Sequence, residues 1–296
     1  MVTILLTCLG ILLMYYIVIL VKDMYLHRDG LGSGNFITSA GIGFVTDFLD
    51  TLGIGSFAPT TLLFKIFKSL ESDELLPGTL NVAHTIPVMI EAFIFITVVK
   101  VEPLTLFSLI FAAILGSWIG SKTVTKLPER NIQLVMGIAL IVTSALMALR
   151  QLGMLDMLGE GNTALGLSGI ALIVGVIGNF IFGALMTVGV GLYAPCMAMV
   201  YMLGMSPIVA LPIMMGSCAG LMPVASAEFV KAGKYSRVTT LGIIVGGTIG
   251  VIVAAKFVTS LNLDVLTWII VAVVLYTGAS MIMKALNQKE VVKEVS

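Results

Sequence analysis

The chain has 296 residues, 58% hydrophobic and 11% charged, with 16 Lys/Arg against 16 Asp/Glu for a net charge of zero, and its mean hydropathy is +1.11. A soluble domain carries roughly 25% charged residues, so the polar surface of a soluble fold is missing, and the absence of net positive charge argues against a nucleic-acid binder. Cys8, Cys196 and Cys218 lie apart inside apolar runs without a CxxC or Cys/His pair, which implies neither a disulfide framework nor a zinc site and, with only two His, no embedded redox centre.

A bilayer core of about 30 Å takes about 20 apolar residues per helix. On that measure the first crossing is residues 3–22, an anchor helix with no cleavage site behind it rather than a removable signal peptide. Next comes 35–70, which is apolar for longer than one helix needs and is interrupted near its middle. Crossings follow at 79–99, 104–121 and 131–149, then a second overlong and interrupted stretch at 164–204, then crossings at 210–230, 239–257 and 264–286. Each interrupted stretch is expected to be a helical hairpin, or two half-helices, broken inside the membrane.

The two interruptions are copies. Thr51-Leu-Gly-Ile-Gly-Ser-Phe-Ala-Pro59 aligns with Thr187-Val-Gly-Val-Gly-Leu-Tyr-Ala-Pro195, identical at five of nine positions, and the same shift of 136 carries Pro87 onto Pro223. A shift of 130 carries Gly116-Ser-Trp-Ile-Gly120 onto Gly246-Gly-Thr-Ile-Gly250. The chain therefore divides into an N-terminal helix and loop (1–34), repeat 1 (35–149), an external linker (150–163), repeat 2 (164–286) and a tail (287–296).

If each broken stretch leaves the membrane on the side it entered, Lys22, Arg28, Lys65, Lys68, Lys122, Lys126, Arg130, Lys231, Lys234, Arg237, Lys284, Lys289 and Lys293 share one face. The other face holds Lys100, Arg150 and Lys256. Cytoplasmic loops accumulate Lys and Arg, which puts the N-terminus outside and the C-terminus in the cytoplasm. The repeats then run in opposite directions. The expected fold is all-α: an inverted-repeat bundle with two re-entrant hairpins behind one extra helix, as in many secondary transporters.

Gly53 and Gly55, like Gly189 and Gly191, let the backbone leave a helix, and Pro59 and Pro195 suit the first turn of the next one. A helix N-terminus set at membrane depth offers unpaired N–H groups and a positive dipole end, for which an anionic oxygen is the natural partner. Ser56, Thr60 and Thr61 supply hydroxyls beside the first break, and Tyr193 and Cys196 the nearest polar atoms beside the second. Asn81 and Ser217, at matching depth, are either substrate donors or interhelical hydrogen-bonding groups. The bland alternative for Gly-x-Gly is close helix packing, which suits Gly116, Gly120, Gly246 and Gly250 in their unbroken helices.

Acids inside apolar segments are Asp47, Asp50, Glu91 and, near a helix end, Glu228. In lipid such groups should face a cavity or take up protons. Asp47 and Asp50 share a helix face and suit proton exchange or a cation site; alternatively they cap the broken backbone. His84, seven residues before Glu91, suits a proton relay or a plain hydrogen bond to the next helix. Glu228 is expected to pair with Lys231 or Lys234.

The duplicated Gly-x-Gly-x-x-Ala-Pro breaks, with Gly216-Ser217 after the second, resemble the sulfite exporter TauE/SafE family over about residues 35–286. The first break departs from that family's more usual Gly-Gly-rich pattern by reading Gly-Ile-Gly-Ser behind two Asp. The resemblance implies a permease for small sulfur-containing or organic anions such as sulfite, sulfonates or sulfoacetate, exporting them across a bacterial plasma membrane with proton coupling. Its partners would be the anion, protons and the bilayer, with no cofactor and no nucleic acid; a homo-oligomer is left open. An anion channel and a carrier of another small solute are the alternatives. An intramembrane enzyme would need a nucleophile–base pair or metal-ligand cluster, and none recurs at helical spacing. A purely structural subunit would leave the intramembrane acids unexplained.

Overall fold

The computed structural model describes residues 2–96, 100–158, 160–189, 191–206, 209–257 and 264–294. The helices are α1 (Val2–Leu26), α2 (Phe36–Thr51), α3 (Phe57–Phe67), α4 (Leu76–Phe95), α5 (Pro103–Val124), α6 (Glu129–Gln151), α7 (Met154–Leu158), α8 (Gly169–Met186), α9 (Tyr193–Met202), α10 (Ala210–Ala232), α11 (Arg237–Phe257) and α12 (Asp264–Glu294), and the described residues form no strand. Every expected crossing is a helix, and both interrupted stretches are helix–break–helix. Residues 97–99, the end of the crossing expected at 79–99, lie outside the described residues.

Local chemistry sets the ends. The Asn35 side chain accepts the Thr38 N–H at 3.0 Å and starts α2, and Glu102 caps α5 ahead of Pro103. The first break carries Gly53 and Gly55 at φ 85° and 94°, and the second carries Gly189 at φ 100°, a region that side chains with a Cβ rarely enter. Pro59 and Pro195 fall third in α3 and α9, inside the first turn where the missing N–H costs no helical bond.

Six of the described helices are long and apolar enough to cross a membrane, and burial sorts them: 89% of the apolar window of α10 is enclosed, against 22% for α1 and α8. Helix α10 is thus the axis, packed on α4, α5 and α1, while α1 and α8 present exposed Ile, Leu, Val and Met side chains of the kind lipid covers.

The halves interlock. Helix α2 packs on α11 and α8 on α5; α4 packs on α11 and α10 on α5; α3 meets α12 and α9 meets α6; α4 pairs with α10 and α6 with α12. The shift of 136 exchanges the members of every such set. The close approach depends on glycine. A Cβ on Gly116 would fall on the Phe180 carbonyl oxygen, and one on Gly246 on the Ala40 carbonyl oxygen. Backbones this near gain dispersion and leave no space for a side chain.

The two ends of the bundle differ in charge. At one end Asp23 of α1 takes Arg237 (Nε, 2.7 Å) and Tyr235 (2.5 Å), Ser33 donates to Glu71, and Lys234 pairs with Glu74. Glu228 pairs with Lys231 at 3.1 Å. Asp73 gathers Lys65 of α3, Lys284 of α12 (2.8 Å) and Gln133 of α6 (3.0 Å). The Ser33–Glu71 bond brings the start of α2 and the chain just beyond α3 to this end, so the first hairpin returns where it began. At the opposite end the Ser206 N–H donates to the Ala164 carbonyl at 2.8 Å and Asn162 to the Tyr201 carbonyl at 2.8 Å, so the second hairpin opens and closes there.

The Asp73 cluster gives a pH-dependent expectation. Burial pushes the Asp73 carboxyl up, but the hydrogen bonds from Lys284 and Lys65 outweigh it and hold the group below its usual value. A lowered folded-state value means stabilisation that is complete above the unfolded value of about 3.9 and is lost as pH falls through the folded value. Asp73→Asn should therefore melt earlier than the parent protein at neutral pH, and the gap should close below about pH 3.9. Thermal melting in detergent across pH measures it; a gap that stays constant would show that the carboxylate charge is not what ties α3, α6 and α12.

Candidate substrate site between the two breaks

The breaks meet. A cavity of about 40 Å³ lies between them, lined by Asp50, Ile54, Gly55, Ser56, Phe57 and Ala58 from the first and by Met186, Gly191, Leu192 and Tyr193 from the second. Helix α6 adds Thr143 and Met147, α4 adds Val88 and α10 adds Cys218. A water needs roughly 10–15 Å³ of such volume, so the space suits a few waters or one compact solute. The lining is symmetric in register: Asp50 and Met186, Gly55 and Gly191, Ser56 and Leu192, Phe57 and Tyr193 are each related by the shift of 136.

Its chemistry is one-sided. Asp50 Oδ2 accepts the Ser56 hydroxyl at 2.9 Å, so a carboxylate of the chain itself stands beside the residue that precedes α3. The matching position before α9 is Met186, and Leu192 at the start of α9 makes no side-chain cap. Among the cavity-lining residues the second break supplies no carboxylate.

Behind Asp50 runs a buried polar chain. Asp47 Oδ1 lies 2.7 Å from His84 Nδ1, and His84 Nε2 lies 3.1 Å from Thr60 Oγ1. Thr51 donates to Glu91 Oε1 at 2.8 Å, and Tyr193, across the break, donates to Glu91 Oε2 at 3.3 Å. Asp47, His84, Glu91 and Thr60 are fully buried. Asp47 Oδ2 has no partner among the described residues and is pressed against Gly247 of α11. The buried polar groups thus form two side-chain sets, Asp47–His84–Thr60 and Thr51–Glu91–Tyr193.

The remaining candidates stand back from the cavity. Thr61 donates to its own helix at Phe57 (2.8 Å). Asn81 donates to Pro77 (2.9 Å) and Met186 (3.4 Å) carbonyls, and Ser217 accepts from Asn179 (2.8 Å), each joining neighbouring elements. Gly53 lies against Arg150, and Gly189 against Met136. Cys196 is fully buried. Among the described residues no cluster of three or more His, Cys, Asp or Glu is placed to hold a metal ion.

Sequence reading did not single out Thr143, Met147, Met186, Cys218 or Arg150. The register shift is the one signal in the sequence that leads to Met186, the repeat partner of Asp50. Arg150, by sequence a charge of the sparsely charged face, donates from the end of α6 to the Gly53 carbonyl.

An all-α bundle of apolar, membrane-length helices is a multi-pass membrane protein, here with paired breaks on one internal cavity. The family model for Sulfite exporter TauE/SafE matches residues 2–147, covering α1 and most of the first repeat, and supports the family to which the breaks already pointed. That family is one of membrane transporters, in keeping with a role in transport rather than catalysis. No curated protein and no solved structure matches the chain.

Proposed function

We propose that the protein is a secondary transporter of small oxyanions of the sulfite or organosulfonate type, exporting them across a bacterial plasma membrane with proton coupling. The observation that carries this reading is the cavity between the two breaks, with Gly55, Ser56, Gly191 and Tyr193 in its wall. The domain division at 35–149 and 164–286, the opposed orientation of the repeats, and an external N-terminus with a cytoplasmic C-terminus belong to the same proposal. Their support is the exchange symmetry of the helix pairings and the gathering of Lys65, Lys234, Arg237 and Lys284 at one end.

The α9 N-terminus receives the anion, while Asp50 holds the Ser56 hydroxyl beside the start of α3. An ionised Asp50 competes with substrate for that hydroxyl and repels it; a proton on Asp50 removes the competing charge, so proton and anion load together. The Asp47–His84–Thr60 and Glu91–Tyr193 contacts hold further titratable groups behind the cavity wall that take part in the exchange. A sulfite dianion leaving with one proton moves one negative charge outward, down an inside-negative potential. The direction of export rests on the family description. Alternating access follows if one repeat rocks against the other about the cavity.

Proteoliposomes loaded with labelled sulfite or sulfoacetate test this under imposed pH and voltage gradients. Saturable, pH-stimulated flux is expected. Flux that ignores a counter-gradient would point to a channel, and the Asp50 carboxylate in the wall makes a cation or neutral solute the outcome to look for should no oxyanion move.

A further inference from the structure

Helix α6 turns Thr143 and Met147 toward the cavity. Residues four and then three further along a helix stay on one face, so Arg150 comes next on that face, beyond the cavity at the end opposite the Asp73 cluster. Of the cations at that end, Lys100 and Lys256 are exposed and Arg150 is half-buried. Its Nη1 donates to the Gly53 carbonyl, and a Cβ added at Gly53 would stand 3.2 Å from Nη2. The guanidinium therefore lies on the backbone of the first break, two residues before Gly55 in the cavity wall.

A carbonyl is a neutral partner for a group whose five donors form a planar fork matched to oxyanions. Hydrogen bonds to an ionised acceptor are roughly twice as strong as neutral ones, so an arriving oxyanion outcompetes the Gly53 carbonyl. The interior beyond holds Asp50, Asp47 and Glu91, which by themselves would turn an anion away. A cation at the lip sets the sign of what passes.

We propose that Arg150 is the anion-selecting residue of this path: its guanidinium leaves the Gly53 carbonyl for an oxyanion of the sulfite or sulfonate class at the cavity lip, and returns once the ion has passed. This rests on the reading of the cavity as an oxyanion site. The test compares sulfite flux in proteoliposomes of the parent protein, Arg150→Gln and Arg150→Lys. Arg150→Gln should raise KM about tenfold or more with little change in kcat, and Arg150→Lys should fall between, keeping charge without the fork. Should Arg150→Gln fail to fold, Arg150→Cys in a Cys8→Ser, Cys218→Ser background substitutes for it, with that background carrying Arg150 as the reference: a cationic aminoethyl thiosulfonate reagent should restore uptake and the anionic sulfonatoethyl reagent should not. A KM within about twofold of the parent in a folded Arg150→Gln, or equal rescue by both reagents, overturns the assignment while leaving the oxyanion reading intact. A parent protein that moves no oxyanion overturns both.

Discussion

Gly191→Leu is expected to abolish transport, by about 100-fold or more, while the protein folds and melts close to the parent. The asymmetry between the paired glycines is the reason. A Cβ at Gly191 meets nothing within 4 Å, and its backbone lies outside the left-handed region, so a leucine enters without backbone strain. The space it enters is the cavity itself, about 40 Å³, which a four-carbon side chain fills. Gly55 is equally open but sits at φ 94°, so Gly55→Leu should also stop flux and should lower the melting temperature as well, by the strain of a Cβ in that conformation, about 1–3 kcal/mol. Flux assays paired with thermal melting separate the two. Normal transport in a folded Gly191→Leu would remove the cavity from the substrate path.

Replacing Asp50 by Asn should cut gradient-driven accumulation about tenfold or more while sulfite binding persists. The amide keeps the shape of the carboxylate and can still accept from Ser56, but it neither takes up nor releases a proton and never opposes a substrate anion with its own charge. Downhill exchange should continue and lose its pH dependence. Asp47→Asn is expected to act in the same direction more weakly, because Asp47 stands behind the cavity wall, bonded to His84, and does not line the cavity. Binding can be followed by thermal shift, since a ligand stabilises the folded state in proportion to RT ln(1 + [L]/Kd). Should the double variant still accumulate substrate against a gradient, the coupling group is elsewhere and the remaining buried acid, Glu91, is the next to replace.

Much of this architecture is legible in the amino-acid order because bilayer thickness makes helix length readable and because the chain states its own pattern twice. Gly53, Gly55 and Pro59, with their copies at Gly189, Gly191 and Pro195, locate both breaks without any tertiary information. The rotation of each helix is harder to read. Hydropathy places Asn81, His84 and Glu91 at membrane depth, but only packing decides that His84 meets Asp47 while Asn81 bonds backbone carbonyls. Asp50 shows the same limit in another form. Its spacing from Asp47 is compatible with a proton site or a local cap, and only the folded chain shows that it takes the Ser56 hydroxyl and lines the cavity. Arg150 was hidden for a different reason: a cation beside a loop looks solvent-bound until the helix carrying it is seen to end over a broken segment.

The glycine-lined crossings between α2 and α11, and between α5 and α8, have a consequence for how the molecule is made. Each half supplies the wall against which the other half's hairpin rests, so neither is a self-sufficient folding unit. On the ribosome, α2 enters the bilayer with Asp47 and Asp50 uncovered and waits for α11, which is synthesised late. Until that helix arrives the acids must be sheltered by water, by protons or by the insertion machinery, and substitutions at Gly246 or Gly247 would be felt first as failed biogenesis rather than as slow turnover.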